Sequence, residues 1–308
     1  MKVSVIGGGP GGLYFAILAK KHWPDWRIDV YERNRPDDTF GFGVVFSDQT
    51  LGFLDEYDNP SYESIRRSFA YWDDVDVHYQ GHVLRCGGNG FCGTSRLKLL
   101  QLLGARAAEL GVAIHFEHEV NDIAEFADSD LIIAADGIAS VIRDKYAEDF
   151  GTDIQIRRNY FCWLGSTRPL DAFKYFFRET EHGIIVMHAY QYEQGSSTWV
   201  CEMQPQTWAG FGFGELSEQQ CATILERIFA EELDGHALIT NRSLWRQFPE
   251  VRNKTWVRDN IVLLGDSQHT AHFSIGSGTK LAMESAIALY ESIKSERDLP
   301  AALAAFDE

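Results

Sequence analysis

Three short stretches of this sequence join glycines to charged side chains in patterns suited to holding an electron-rich ligand. The longest is Gly265-Asp266-Ser267-Gln268-His269-Thr270-Ala271-His272-Phe273-Ser274-Ile275-Gly276-Ser277-Gly278-Thr279-Lys280. An apolar run over residues 261–264 leads into it, and Ala282, Ala286 and Leu289 follow at i, i+4 and i+7, so it reads as a strand-loop-helix junction. Backbone N–H groups and the positive end of a helix dipole converge at such a junction. The second stretch, Gly7-Gly8-Gly9-Pro10-Gly11-Gly12, follows an apolar strand over residues 3–6 and precedes a helical pattern on Tyr14, Ile17 and Leu18. It is G-x-G-x-x-G in the required context: Gly7 permits the turn, Gly9 lets the backbone approach a pyrophosphate, and Gly12 lets the helix lie close to the strand. Pro10 lies between them. A second strand over residues 28–31 ends in Glu32, whose carboxylate suits a ribose 2′-OH and disfavours a 2′-phosphate. The third stretch is Asp136-Gly137, after the apolar run 131–135, with Ser140 and Arg143 beyond it. It reads as another strand-loop-helix return to the same ligand.

Arg96 opens a helical pattern carried by Leu99, Leu103, Ala107 and Leu110. A cation in a first helical turn is disfavoured by the dipole, which predicts an outside partner such as a phosphate. The stretch Phe40-Gly41-Phe42-Gly43-Val44-Val45-Phe46 reads as a glycine-punctuated loop over a flat ring. Residues 51–68 read as an irregular helix, and 69–84 as strands with His78 and His82 at the sheet surface. From about Arg157, aromatic-rich strand-like runs predict an antiparallel sheet. Ser217 and Gln220 form a capping-box signal for a helix bearing Leu225, Ile228, Phe229 and Leu233. A long helix and a short tail over residues 300–308 end the chain.

The totals bound the reading. With 308 residues and 45% hydrophobic content there is enough chain for one large or two ordinary domains. A net charge of −17 makes nucleic acid and anionic membrane poor partners. The five cysteines, Cys86, Cys92, Cys162, Cys201 and Cys221, form no C-x-x-C pair and read as free thiols in a reducing cytoplasm, with no metal site. No stretch reaches the ~18 apolar residues of a membrane helix.

Taken in order, the three motifs resemble those of the group A flavoprotein monooxygenases, the FAD-dependent aromatic hydroxylases. Gly7, Gly9, Gly12 and Glu32 match the family's ADP-binding fingerprint. Asp136-Gly137 with Ser140 and Arg143 matches D-G-x-x-S-x-x-R, and Gly265-Asp266 through His269 to Gly276 and Gly278 matches G-D-A-x-H…G-x-G. The chain has His272-Phe273 where the family commonly has proline, and Thr279-Lys280 where it has asparagine. With Phe40 through Asp48, these variations are similar to the branch that acts on aryl-CoA thioesters, and more weakly to tryptophan hydroxylases.

The resemblance implies an α/β fold. A Rossmann-like FAD-binding domain (1–155 with 256–308) would carry an inserted antiparallel-sheet substrate domain (156–255, with a contribution from about 69–92). The C-terminal helical region is expected to be shortened, since the chain stops at Glu308. FAD would be held by Gly7, Gly9, Pro10, Gly12, Glu32, Arg33, Val45, Arg96, Asp136, Gly137, Asp266, Gly276, Gly278, Thr279 and Lys280. Asp266 would take the ribitol, and the N–H groups of residues 276–280 the flavin N1 and C2=O. NAD(P)H and O2 would be co-substrates, with oxygen transferred from a flavin C4a-hydroperoxide to an electron-rich ring. That ring would belong to an aryl-CoA thioester such as salicylyl-CoA, hydroxylated at position 5, or 2-aminobenzoyl-CoA. A free aromatic substrate, or an NAD(P)H oxidase or partner subunit without hydroxylation, are the alternatives. His272 and Phe273 would lie at the reacting edge of the flavin, with His272 as a proton acceptor or pocket wall and His269 structural. Arg157, Arg158, Arg168, Lys174 and Arg178 are candidates for the CoA phosphates. A cytoplasmic monomer or homodimer is expected.

Overall fold

The computed structural model describes residues 1–39 and 41–308, and of Ile275 only the backbone. Phe40, at the start of the expected aromatic loop, lies outside the described residues. A six-stranded sheet has the spatial order Val257–Arg258, Ile261–Leu263, Leu131–Ala134, Lys2–Ile6, Arg27–Tyr31, Ala113–His115. Its pairs are parallel apart from the first. Both faces are buried, as continuous apolar strands require. Val3, Val5, Leu131, Ile133 and Val262 pack under the helices Pro10–His22, Arg96–Glu109 and Gly278–Ser295. Ile6, Ile132, Ala134, Ile261 and Leu263 pack on the other side with Phe126, Ile142 and Phe150.

A second sheet carries the long antiparallel strands Asp153–Ser166, Ser196–Met203, Gly183–Glu193 and Phe173–Thr180. It is extended by Val75–Tyr79, which pairs parallel with Phe173–Thr180, and then by His82–Cys86. The expected antiparallel sheet is thus mixed at this one seam. Period-2 alternation sorts its side chains. Cys162, Leu164, Phe176, Ile185, Met187, Ala189, Trp199, Cys201 and Met203 face a core closed by residues 205–233. Alternate residues face the other way, towards the first sheet's loops.

Three expectations are corrected. Residues 43–47 are a strand, Gly43–Ser47, in a small sheet with Phe91–Ser95 and Ala70–Trp72, because Val44, Val45 and Phe46 are all buried. The helix opened by the Ser217–Gln220 capping box ends at Ile228; Phe229 leaves helical geometry and a short helix, Ala230–Leu233, follows. The tail is itself a helix, Leu299–Asp307, because Ala302, Leu303 and Phe306 form an apolar face, and Asp307 accepts from the Trp256 backbone and the Thr255 hydroxyl. Among the described residues no helix is long and apolar enough to cross a membrane.

Candidate active site

The C-terminal ends of the parallel strands open onto one cleft, where the three glycine stretches meet. Gly7 has φ +111°, and a Cβ on it would lie 2.1 Å from the carbonyl oxygen of Ala135, so the first loop nests against the Asp136-Gly137 loop. On Gly12 a Cβ would lie 2.3 Å from Gly7 O, which makes this helix-strand approach specific to glycine. At Gly9, by contrast, an added Cβ would meet nothing within 4 Å. That open space lies at the N-terminus of the helix Pro10–His22, which no side chain caps. The helix Gly278–Ser295 likewise begins without a side-chain cap. Its Ala282 packs against both Gly11 and Gly265, bringing the two helix starts to one side of the cleft.

Charge is arranged around that space. Glu32 accepts from Gly8 N at 2.8 Å through one oxygen and from Asn34 N at 2.8 Å through the other. Arg96 enters the cleft from its helix start. Burial lowers the pKa of its guanidinium, and Asp266 and then Glu32 act against that loss. Asp266 is solvent-exposed, yet its carboxyl is surrounded deeply enough that desolvation raises its pKa, with Arg96 opposing. Asp136 spends one oxygen on Val141 N, 2.8 Å away, and so caps the short helix Val141–Lys145; among the described residues its buried Oδ1 makes no hydrogen bond, with the Ser140 side chain nearby. Desolvation also raises the Asp136 pKa.

An open cradle at Gly9, two helix starts without side-chain caps among the described residues and a partly buried arginine fit a dinucleotide carrying a pyrophosphate. Asp266 and Glu32 are both near enough to act on Arg96, and Val45 lies beside Gly276, where an added Cβ would be 3.9 Å from the Val45 Cβ. Of the remaining expected contacts, Arg33 is exposed. Lys280 pairs with Glu284 at 3.3 Å, one turn along its own helix, and Thr279 and Gly137 are partly accessible.

The loop after Asp266 is pinned from the second sheet: Asn253 donates to Gln268 O at 2.6 Å, and Val251 N donates to the Thr270 hydroxyl at 2.8 Å. It carries Phe273 onto the sheet face that looks towards the cleft. There Phe273 stacks on Phe161, with centroids 4.3 Å apart, and approaches Trp163, His188 and Phe248. His272 Nδ1 lies 2.8 Å from the Ser274 hydroxyl and also faces Ser274 N at 3.4 Å, which directs its other nitrogen away. His269 lies near Trp256, and burial lowers its pKa.

Cross-strand register lines Trp163, Val200, His188 and Tyr175 into one row across four strands, with Phe161 and Glu202 in the next. His188 is 4% exposed. Among the described residues neither of its ring nitrogens has a hydrogen bond; its nearest polar neighbour is Glu202 Oε2, 3.7 Å from Nε2. Burial, and then His272, lowers its pKa to about 4. The charged neighbours acting on His188 and Tyr175 are His272 and Glu202, with no lysine or arginine among them. Sequence reading missed His188 and Glu202. Their signal was alternation: each is one residue out of phase with the buried Met187, Ala189 and Cys201.

The expected CoA-phosphate cations do not join this site. Lys174 and Arg178 alternate with Tyr175 and so emerge on the opposite face, where with Arg168 they line a separate concavity of about 610 Å³. All three are already paired, Lys174 with Asp76 and Asp171, Arg178 with Glu231 and Glu232, and Arg168 with Asp234. Arg157 pairs with Glu250. Arg158 is exposed.

Comparison with known proteins agrees with this cleft. Residues 1–296 match the FAD binding domain family model. The whole chain aligns at 42% identity with salicyloyl-CoA 5-hydroxylase from a Streptomyces species, spanning 61% of that protein's length. It aligns at 34% identity with 3-hydroxy-4-methyl-anthranilyl-[aryl-carrier protein] 5-monooxygenase of Streptosporangium sibiricum, covering 100% of this chain and 83% of that one. In structure it is similar to 2-methyl-3-hydroxypyridine-5-carboxylic acid oxygenase, with a TM-score of 0.79 at 17% identity over 99% of this chain and 85% of the other.

Proposed function

The chain belongs to the FAD binding domain family, and from that premise we propose that it is a flavin-dependent monooxygenase that hydroxylates the ring of an aromatic acyl thioester. The two relatives named above act, by their names, on a CoA-bound and a carrier-protein-bound aryl group. The observation that carries the reading to this chain is the box formed by Phe161, Trp163, Tyr175, His188 and Phe273. It is wide in aromatic surface, and among the described residues the carboxylate acting on its polar end belongs to Glu202. A free benzoate carboxylate turned to that end would meet like charge and no cation, at a cost that desolvation magnifies. A thioester carbonyl carries no such charge.

Bound FAD supplies the electron transfer and oxygen activation that no side chain can. In this reading Gly7, Gly9, Gly12 and Arg96 hold its pyrophosphate, Glu32 its adenosine ribose and Asp266 its ribitol. The start of the helix Gly278–Ser295 would offer N–H dipoles to negative charge on the flavin. Val45 and the loop 272–276 would line the flavin site on the side of the second sheet. Phe273 and Phe161 would help to exclude water from it. His272, with one nitrogen engaged by Ser274, orients the loop and offers its other nitrogen to the pocket.

The test is the rate of flavin reduction by NADH or NADPH with a panel of aryl acids and their CoA esters, with product analysis. Acceleration by esters and stoichiometric hydroxylated product are expected. Acceleration by the free acids alone would move the assignment to a free aromatic substrate, and hydrogen peroxide without hydroxylated product would sink hydroxylation itself.

A further inference from the structure

His188 is a polar side chain, 4% exposed, set among aromatic rings, and among the described residues its ring nitrogens make no hydrogen bond, the nearest carboxylate being Glu202 at 3.7 Å. A buried imidazole without a partner gives up the hydrogen bonds that water offers the unfolded chain, and a ligand that restores one is favoured for that reason. Its surroundings define that ligand. The row Trp163, Val200, His188, Tyr175 runs beside Phe273, with the His188 and Phe273 rings in tilted contact, centroids 6.1 Å apart. Glu202 stands beside it, its Oε1 held by Asn159 Nδ2 at 2.7 Å and its Oε2 left towards the imidazole. The Tyr175 hydroxyl is already donated to Ser274 O at 3.3 Å.

We propose that His188, with Glu202 beside it, is the specificity-determining end of the pocket, accepting a hydrogen bond from a hydroxyl or amino group on the aromatic ring of the substrate. This rests on the reading of the cleft as an aromatic hydroxylase site and adds to it the substituent that the substrate must carry. With Nε2–H turned towards the Glu202 carboxylate, a neutral imidazole offers Nδ1 as its acceptor, so the pair favours a ring bearing a donor. It discriminates against an unsubstituted ring, which leaves Nδ1 unpaired, and against a second carboxylate. Such a donor substituent also makes the ring electron-rich, so recognition at His188 would select the rings that can react.

The experiment uses two matched pairs of ligands with the FAD-loaded protein: salicylyl-CoA against benzoyl-CoA, and phenol against benzene. Affinity is read from the change in flavin absorbance or fluorescence. In the unmodified protein the hydroxylated member of a pair should bind about tenfold more tightly, the effect of one net hydrogen bond. In His188→Phe that preference should vanish, with benzoyl-CoA affinity kept within about twofold and FAD content unchanged; Glu202→Gln should reduce it less. Equal weakening of both members by His188→Phe would mark a merely structural residue and overturn the inference, as would a preference that survives the substitution. Should His188→Phe lose FAD, the same ratio read in His188→Gln and Glu202→Gln decides. A His188-dependent preference within the phenol pair, with no binding of either CoA ester, would remove the thioester reading and leave this inference standing. No binding of any of the four would overturn both.

Discussion

Tyr175 and His188 lie directly opposite each other on neighbouring antiparallel strands, their rings 4.7 Å apart and tilted by 52°. The pairing fixes both rings on the face that looks towards the cleft, and it fixes by exclusion that Lys174 and Phe176 look away. Consequences follow for pH, packing, cofactor binding and substrate affinity.

Burial, and then His272, holds the His188 pKa at about 4 against an ordinary 6.5. Between those values the unfolded chain takes up a proton that the folded chain refuses. The stability from keeping His188 neutral is therefore fully present above pH 6.5 and lost as the pH falls towards 4. His188→Gln should flatten this acid limb by up to about 3 kcal/mol. Urea melts at about pH 7, 5.5 and 4, which span that interval, measure it. An acid limb identical in the variant would put the sensitivity in another residue.

Phe161 is 3% exposed, and Phe273, stacked on it, is partly accessible. Phe161→Ala should cost about 3 kcal/mol of stability, because it leaves a cavity in a packed face. Phe273→Ala should cost less stability, keep FAD, and raise the share of oxygen consumed that appears as hydrogen peroxide. Oxygen uptake compared with product formed reads this directly; unchanged coupling would move the water barrier elsewhere.

Two glycines of one motif should separate. Gly7→Ala drives a Cβ to 2.1 Å from a backbone oxygen in a left-handed conformation, so it should destabilise the fold by more than about 1 kcal/mol. Gly9→Ala fills only open space, so stability should hold within about 0.5 kcal/mol while FAD affinity falls at least about tenfold. Thermal melts of the cofactor-stripped protein and fluorescence titration with FAD give the two readings. Undiminished FAD affinity in Gly9→Ala would take the pyrophosphate away from this cradle.

Arg178→Ala, on the opposite face and already paired with Glu231 and Glu232, should leave the affinity for a CoA ester within about twofold of the unmodified protein, since a solvated pair on another face contributes little to a distant ligand. A tenfold loss in titration would restore this cation to the substrate site.

The legible parts of this sequence were those where backbone geometry dictates residue type. Gly7 and Gly12 are demanded by contacts of 2.1 and 2.3 Å, so their spacing alone announces a strand-turn-helix. Glu32, Arg96 and Asp266 followed, because charge beside such a turn needs a reason. His188 and Glu202 gave no comparable mark. Each is a lone polar residue in an apolar strand, and its meaning comes from cross-strand register, which joins residues 163, 175, 188 and 200 into one row. Lys174 and Arg178 emerge away from Tyr175 for a reason of the same kind: a strand sends neighbours to opposite faces. The strand Gly43–Ser47 was hidden by its glycines, which suit a loop equally well.

The parallel ladder that joins Val75–Tyr79 to Phe173–Thr180 sets a timetable for synthesis. A ribosome adding about 5–20 residues per second delivers the earlier strand several seconds before its partner exists. During that interval the hairpin 75–86 has no sheet to join, and Val83 and Leu84, still 56% and 65% exposed at the end, stand open beside an unpaired edge. The edge of the earlier strand therefore stays open until residues 173–180 emerge to pair with it.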